Sequence, residues 1–236
     1  MSSSPFVFYK NHLASGRPPQ KQTDAMAYGS AFHKLILEPE EFQKSYTVLE
    51  GRKGTKAWDE AAKKLVGKII LKKSQADDLQ AMQESLDRPI TKILFADGIA
   101  EESVYWEYKG TPFKSRFDFR NEKEKLIIDL KTTVSSGPGF PKEVLKHRLH
   151  WQAFLYAKCA EATFGSPYTF VFAAIEKVYP YSVGFYTLDQ RSLSQGEEEI
   201  DETIERYNSC VKNDAWPDHN NDQITEISIP FFRKKA

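Results

Sequence analysis

The chain has 236 residues, 40% hydrophobic and 28% charged, with a formal net charge of zero. That composition belongs to a soluble globular protein able to bury one large core, and no apolar run approaches the length of a membrane span. The first residues lack a signal-peptide pattern, and Cys159 and Cys210 have no zinc or iron–sulfur spacing, so the cytoplasm is the expected compartment. Charge is unevenly spread: residues 1–75 carry thirteen Lys/Arg against seven Asp/Glu, whereas residues 191–226 carry three against ten. Such a dipolar chain can set a basic surface on phosphate and turn an acidic one away.

Residues 1–22 read as a Ser-, Pro- and Lys-rich arm in which Phe6, Phe8 and Tyr9 can pin a short helix to the core. Thr23 or Asp24 caps a helix running to Leu37, with Gly29, His33 and Ile36 on one face and Pro39 ending the pattern. Gly29 permits close backbone approach there, and His33 must face something polar. Residues 51–56 (Gly-Arg-Lys-Gly-Thr-Lys) form a basic loop. Helices follow over Trp58–Lys68 and Ser74–Asp87, the second with a capping-box-like start at Ser74 and Asp77, and a short one over Pro89–Phe95.

From Ile99 the pattern changes to alternation. Glu102–Tyr108, Phe113–Arg120 and Lys125–Lys131 form a meander joined by polar turns. A helix over Pro141–Ala162, strands over Tyr168–Ile175 and Tyr181–Leu188, and an acidic helix over Ser192–Lys212 complete the order. The tail (Trp216-Pro217, then Ile224–Phe232) is expected to pack back irregularly. The fold class is α/β, a mixed central sheet flanked by helices. One domain over 1–236 is expected, with an arm (1–22), a helical part (23–98), a sheet part (99–190) and a C-terminal helix and tail (191–236).

The chemistry concentrates at Asp129-Leu130-Lys131. Alternation points Asp129 and Lys131 the same way and sends Leu130 into the opposite layer. Asp118 lies eleven positions upstream across a turn and can sit beside Asp129 on the neighbouring strand. Two hard carboxylates suit Mg²⁺, and the ammonium can stabilise phosphate charge or orient an attacking water. Alone, such a pair is ordinarily a solvated ion pair. Gln152 and Tyr156 share a face at i and i+4, on the helix that returns over this strand, and Arg148 one turn earlier is a natural phosphate clamp. Arg116 is a further candidate for phosphate.

The ordered set of helix His, Asp…Asp-x-Lys and Gln-x-x-x-Tyr resembles the RecB-type branch of the PD-(D/E)xK nucleases. The strings Tyr28-Gly29-Ser30-Ala31-Phe32-His33, Glu101-Glu102-Ser103-Val104 and Ile128-Asp129-Leu130-Lys131-Thr132-Thr133 are similar to the RecE (exonuclease VIII) family of phage and prophage exodeoxyribonucleases, as are Pro180-Tyr181-Ser182-Val183 and Trp216-Pro217. The resemblance implies a 5′→3′ exonuclease on linear double-stranded DNA, dependent on Mg²⁺ with Mn²⁺ as a substitute. It also implies a homo-oligomeric ring, tetrameric in such enzymes, and a single-strand annealing protein as partner, in a bacterial host. Carried over, His33, Asp118 and Asp129 are metal ligands with the Leu130 carbonyl. Lys131 positions or polarises the water, and Gln152 and Tyr156 complete the pocket. Glu102 holds a second metal or pairs with a cation, and Thr132 and Thr133 contact phosphate or cap the strand end. A structure-selective or restriction-type endonuclease, a non-catalytic DNA-binding scaffold and a small-molecule phosphoesterase are the alternatives on the same core.

Overall fold

Lys109 and Gly110 both take positive φ, the requirement of a tight two-residue hairpin, and they join two eleven-residue strands, Gly98–Tyr108 and Thr111–Asn121. The computed structural model of the chain describes residues 4–17, 19, 23–51, 54–221 and 223–228. In chain order these contain α1 (Pro5–Phe8, continued by a π-turn over Tyr9–Leu13), α2 (Asp24–Leu37), α3 (Pro39–Ser45), β1 (Tyr46–Val48), α4 (Lys56–Lys63), β2 (Ile69–Leu71), α5 (Lys73–Leu86) and α6 (Pro89–Leu94). The hairpin strands are β3 and β4, followed by β5 (Leu126–Thr133), α7 (Phe140–Lys146), α8 (Leu149–Phe164), β6 (Thr169–Glu176), β7 (Val183–Tyr186) and α9 (Gln190–Asn213). The main sheet has the order β3-β4-β5-β6-β7, with β5 and β6 parallel and the other neighbours antiparallel. This is the mixed α/β architecture of a PD-(D/E)xK core.

The chain divides into two compact units, Gln22–Ile200 and the pair of segments Met1–Lys21 with Asp201–Ala236. In the larger unit the sheet is buried on both faces. Phe119, Ile128, Leu130, Val171, Ala173 and Ile175 pack against Ala31 and Phe32 of α2 and Leu79, Met82 and Leu86 of α5. Phe117, Ile127, Phe170, Phe172 and Ala174 face Val144 of α7 and Ala153, Cys159 and Ala160 of α8. Both faces of β5 being covered explains its near-continuous apolar run. In the smaller unit, Trp216 stacks on Phe8 and Tyr9, Ser4 Oγ donates to Asp218 at 2.7 Å, and the Phe6 N–H donates to the Pro217 carbonyl. The aromatic residues of the arm thus meet the C-terminal segment. Ile224 and Ile227 are exposed, and residues 229–232 of the expected tail lie outside the described residues.

Several boundaries differ from the sequence expectation. The helix at Trp58 runs only over Lys56–Lys63, because Gly67 turns at φ +83° into β2, which pairs in parallel with β1. Neither three-residue strand is long enough to show alternation. Of the basic loop, Arg52 and Lys53 lie outside the described residues. Pro39 ends α2 as expected but opens α3 at once, proline being tolerated in a first helical turn. α5 starts one residue before Ser74, and Gln75 rather than Asp77 reaches back to the Lys72 N–H, at 2.9 Å. The single helix expected over Pro141–Ala162 is two, broken where Arg148 takes φ +52°. No proline or glycine marks that break. It is held from outside, by Trp151 Nε1 and His150 Nε2 both meeting Glu199 of α9. β7 is shorter than Tyr181–Leu188 because Tyr181 sits at φ +56° in the preceding turn, its hydroxyl donating to Asp78 at 2.6 Å.

Candidate active site

The site forms where β4 and β5 part. Their ladder covers only Phe119–Asn121 against Leu126–Ile128, whereas β5 stays paired with β6 through Thr133. A buried N–H left without a ladder partner must find another acceptor. At Leu130 that acceptor is the Asp118 carboxylate, whose Oδ2 lies 2.8 Å from the Leu130 nitrogen. Asp118 therefore sits in the fork beside Asp129.

Both strands of the hairpin slip in phase at this level. Phe117 and Phe119, two positions apart, pack into opposite layers instead of the same one. On β3, Ala100 packs on the α2 side while Val104 and Trp106 pack on the α8 side. Between them Glu101 has φ +54°, a left-handed conformation that costs energy for any residue with a Cβ. The slip aims Glu101 and Asp118 at one place. Ligand atoms of His33, Glu101 and Asp118 lie within 4.8 Å of one another.

His33 comes from α2. Its Nδ1 is 3.5 Å from Asp118 Oδ2, and it hydrogen-bonds the Leu130 backbone. α2 approaches β5 closely one turn earlier, where a Cβ on Gly29 would lie 3.4 Å from Thr132 Oγ1. Burial pushes the His33 pKa down, against the pull of Asp129, so the ring is biased to its neutral, metal-binding form. Asp129 is fully buried. Its Oδ1 accepts from Lys131 Nζ at 2.9 Å and from Gln152 Nε2 at 2.7 Å. Its Oδ2 is also 2.9 Å from Lys131 Nζ, but in poor geometry, and has no hydrogen bond of its own.

Burial, then repulsion from Asp129, pushes the Asp118 carboxyl up to about 8. Burial alone would lower the Lys131 pKa. The Asp129 and Asp118 carboxylates outweigh it and raise the value, keeping the ammonium charged. Tyr156 packs its ring on Phe117 and Phe170, and its hydroxyl meets Gln152 and the Arg116 backbone, with burial raising its pKa.

The donor set fits a divalent cation: hard carboxylates, one imidazole, a carboxyl that gives up its proton reluctantly, and a buried carboxylate oxygen lacking a hydrogen bond. His33, Glu101 and Asp118 make the compact triad. Asp129 stands beside it, engaged by Lys131 and Gln152.

The remaining sequence candidates fall elsewhere or take supporting places. Glu102, for which a second metal or a pairing cation were the two expectations, takes the second: it makes a bidentate pair with buried Arg120 at 2.6 and 3.2 Å. Its neighbour Glu101 stands at the site. A regular alternation would separate the two; the phase slip that selects Glu101 has no signature in the residue types. Arg116 pairs with Glu101 at 3.0 Å and is exposed at the rim. Arg148 is exposed and stacks on Trp151 at 4.5 Å. Thr132 lies under α2, and Thr133 Oγ1 hydrogen-bonds the Ser135 backbone, closing the strand end.

The sequence profile of one protein family, the PDDEXK-like domain of unknown function DUF3799, matches residues 3–225. No curated protein matches. Among solved structures, the crystal structure of a "Putative exonuclease" from Eubacterium rectale superposes with a TM-score of 0.65 at 13% identity, covering 91% of this chain and 80% of its own. At that identity the likeness is one of fold. The crystal structure of SSO0001 aligns over 62% of this chain and 69% of its own, at 16% identity and a TM-score of 0.31.

Proposed function

The chain belongs to the PDDEXK-like family DUF3799, and from that premise we propose that it is a divalent-metal-dependent exodeoxyribonuclease acting on linear double-stranded DNA. The observation that carries this reading is the fork itself. Asp118 and the Asp129–Lys131 pair meet at the carboxyl edge of β5, with His33 closing from α2 and Gln152 from α8. A cation held by His33, Glu101 and Asp118, with Asp129 beside it, would supply a bound water of lowered pKa and a Lewis acid for a phosphoryl oxygen.

This chain's own residues do the rest. Gln152 and Lys131 fix the Asp129 carboxylate in one orientation. Lys131, kept charged chiefly by Asp129, places an ammonium where negative charge grows on the attacked phosphate, or orients the attacking water. Because it stays protonated, it acts through charge and hydrogen bonding and not as a base. His33, biased to neutrality, offers a nitrogen lone pair.

The similarity of the sequence strings to RecE-type enzymes extends the proposal to 5′→3′ polarity, 3′ single-stranded products, an oligomeric ring and an annealing protein as partner. The test is degradation of 5′-phosphorylated linear duplex with Mg²⁺ or Mn²⁺, followed with strand-specific end labels. Linear DNA should be consumed and covalently closed circles spared. Asp129→Ala and Lys131→Ala should each lose at least a hundredfold in rate; full activity in either overturns the assignment. Cutting of closed circles would point to an endonuclease instead.

A further inference from the structure

Beyond the fork the β3–β4 hairpin has one covered face and one bare one. From Glu102 opposite Phe117 to Tyr108 opposite Thr111 the two strands pair without a break. Alternation along that ladder sends Val104, Trp106 and Phe117 into the layer under α8, where Trp106 also meets the Phe113 ring and donates to Ser115 Oγ at 3.0 Å. Ser103, Tyr105, Lys114 and Arg116 take the other face, and all are exposed, Tyr105 to 77%.

Contacts join these side chains to one another and to the site. Ser103 lies opposite Arg116, and Tyr105 opposite Lys114. The Lys114 ammonium sits over the Tyr105 ring, 5.5 Å from its centroid, and makes no ion pair among the described residues. Arg116 is 3.0 Å from Glu101 of the ligand triad, and Asp118 follows two positions later on β4. Glu107, exposed opposite Pro112 and one step further out, ends the run with a negative charge. Between the fork and Glu107 the bare face therefore carries Arg116 and an unpaired ammonium propped on an aromatic ring.

The charge names the occupant. The ammonium attracts one anion, and a cation-loaded fork on the same strand attracts another. A molecule that offers both at once is a phosphodiester chain. We propose that Lys114, positioned by Tyr105, binds the DNA backbone beyond the phosphate being cut, with Arg116 between the two, so that the bare face of the hairpin holds the nucleic acid against the fork. The proposal rests on the nuclease reading above. Contacts of this kind fix the position of the DNA without choosing its sequence.

The experiment uses the full chain with Ca²⁺ in place of Mg²⁺ to hold off cleavage. Binding of linear duplexes of two unrelated sequences is followed by fluorescence anisotropy across a range of salt. Lys114→Gln should weaken both duplexes alike, about tenfold near 0.1 M salt, and should reduce the slope of log K against log salt by about one. Tyr105→Ala should cost about threefold, the worth of an exposed cation–π contact, and nothing further in the Lys114→Gln protein. Tyr105→Phe should match wild type, since the ring and not the hydroxyl meets the ammonium. Both side chains are exposed and neither touches the ligand triad, so Mn²⁺ affinity without DNA and the unfolding midpoint should not move. Unchanged affinity and salt slope in Lys114→Gln overturn the proposal. An equal cost of Tyr105→Ala in both backgrounds overturns the positioning role of Tyr105. A change of oligomeric state in Lys114→Gln with DNA affinity intact would make the face a contact between copies, and the proposal falls. If wild type cuts linear duplex and Lys114→Gln binds it as tightly, the nuclease reading stands and only the hairpin contact falls. If wild type neither binds nor cuts DNA, both fall.

Discussion

The two halves of the site are held to different degrees. On the α8 side the charged groups are paired, and only Asp129 Oδ2 lacks a hydrogen bond. Asp129 is fully buried, Gln152 and Lys131 are both at hydrogen-bonding distance, and opposite charges are matched. On the α2 side the groups gather without satisfying one another. His33 stands 3.5 Å from Asp118, Glu101 turns to Arg116 from a strained backbone, and Asp118 retains a proton at neutral pH. One half is a finished ion pair that can act as built. The other is a set of donors that repel or ignore one another until a positive charge joins them.

Breaking the finished half should cost the most. Lys131→Ala leaves the Asp129 carboxylate buried with only Gln152 as partner, and removing one member of a buried pair costs about 3–5 kcal/mol. Chemical denaturation should show that loss in stability, while Mn²⁺ binding, measured by calorimetry, falls by less than tenfold. A Lys131→Ala protein as stable as wild type would mean that Asp129 is not held as a charge.

The unfinished half should respond in the opposite way. Asp118→Asn keeps an oxygen to accept the Leu130 N–H but removes the charge. Mn²⁺ affinity should drop about a hundredfold, as expected for a lost charged ligand, whereas stability without metal should hold or rise at pH 8, where the wild-type carboxyl is forced to ionise. Loss of stability with metal affinity intact would reverse the assignment of the two halves.

How much of this was legible in the sequence follows from how regular each element is. Asp129 and Lys131 sit on a strand that keeps its alternation, and Gln152 and Tyr156 on an unbroken helical turn, so period alone places each pair together. His33 is placed by its distance from Gly29, where α2 really does press on β5. The α/β class follows from the change of period near residue 98. Glu101 was not legible, because the slip on β3 is imposed by the opening of the fork, a tertiary event. The break between α7 and α8 was not legible either: no helix breaker marks it, and the contacts of His150 and Trp151 with Glu199 that hold the start of α8 join residues about fifty positions apart. The pair β1–β2 was missed because three residues cannot display a period.

Glu101 and Glu102 make the contrast between site and scaffold within one dipeptide. Glu102→Gln should cost about 2 kcal/mol of stability, the worth of a charge-assisted pair with a buried arginine, and leave Mn²⁺ affinity within twofold of wild type. Glu101→Gln should do the converse, weakening Mn²⁺ about tenfold with little change in stability. If Glu102 proves to be the metal-sensitive one, the phase slip on β3 does not serve the site.

The subtlest separation of the halves is by pH. The Asp118 carboxyl, at about 8 in the fold, binds its proton more tightly than the same group in an unfolded chain, whose value is 3.8. Its contribution to the stability of the metal-free protein is therefore greatest below about pH 4 and fades as pH rises through 8. A divalent ion must displace that proton. Below pH 8 each unit of falling pH should weaken Mn²⁺ binding by up to tenfold, the slope of one proton exchanged. Calorimetry at pH 7 in buffers of different ionisation enthalpy should count close to one proton released per ion bound. Lys131 stays charged across this range, so the Lys131→Ala protein should show the same slope. A flat pH profile in wild type would mean that Asp118 is already ionised and that both halves of the site are built before the metal arrives.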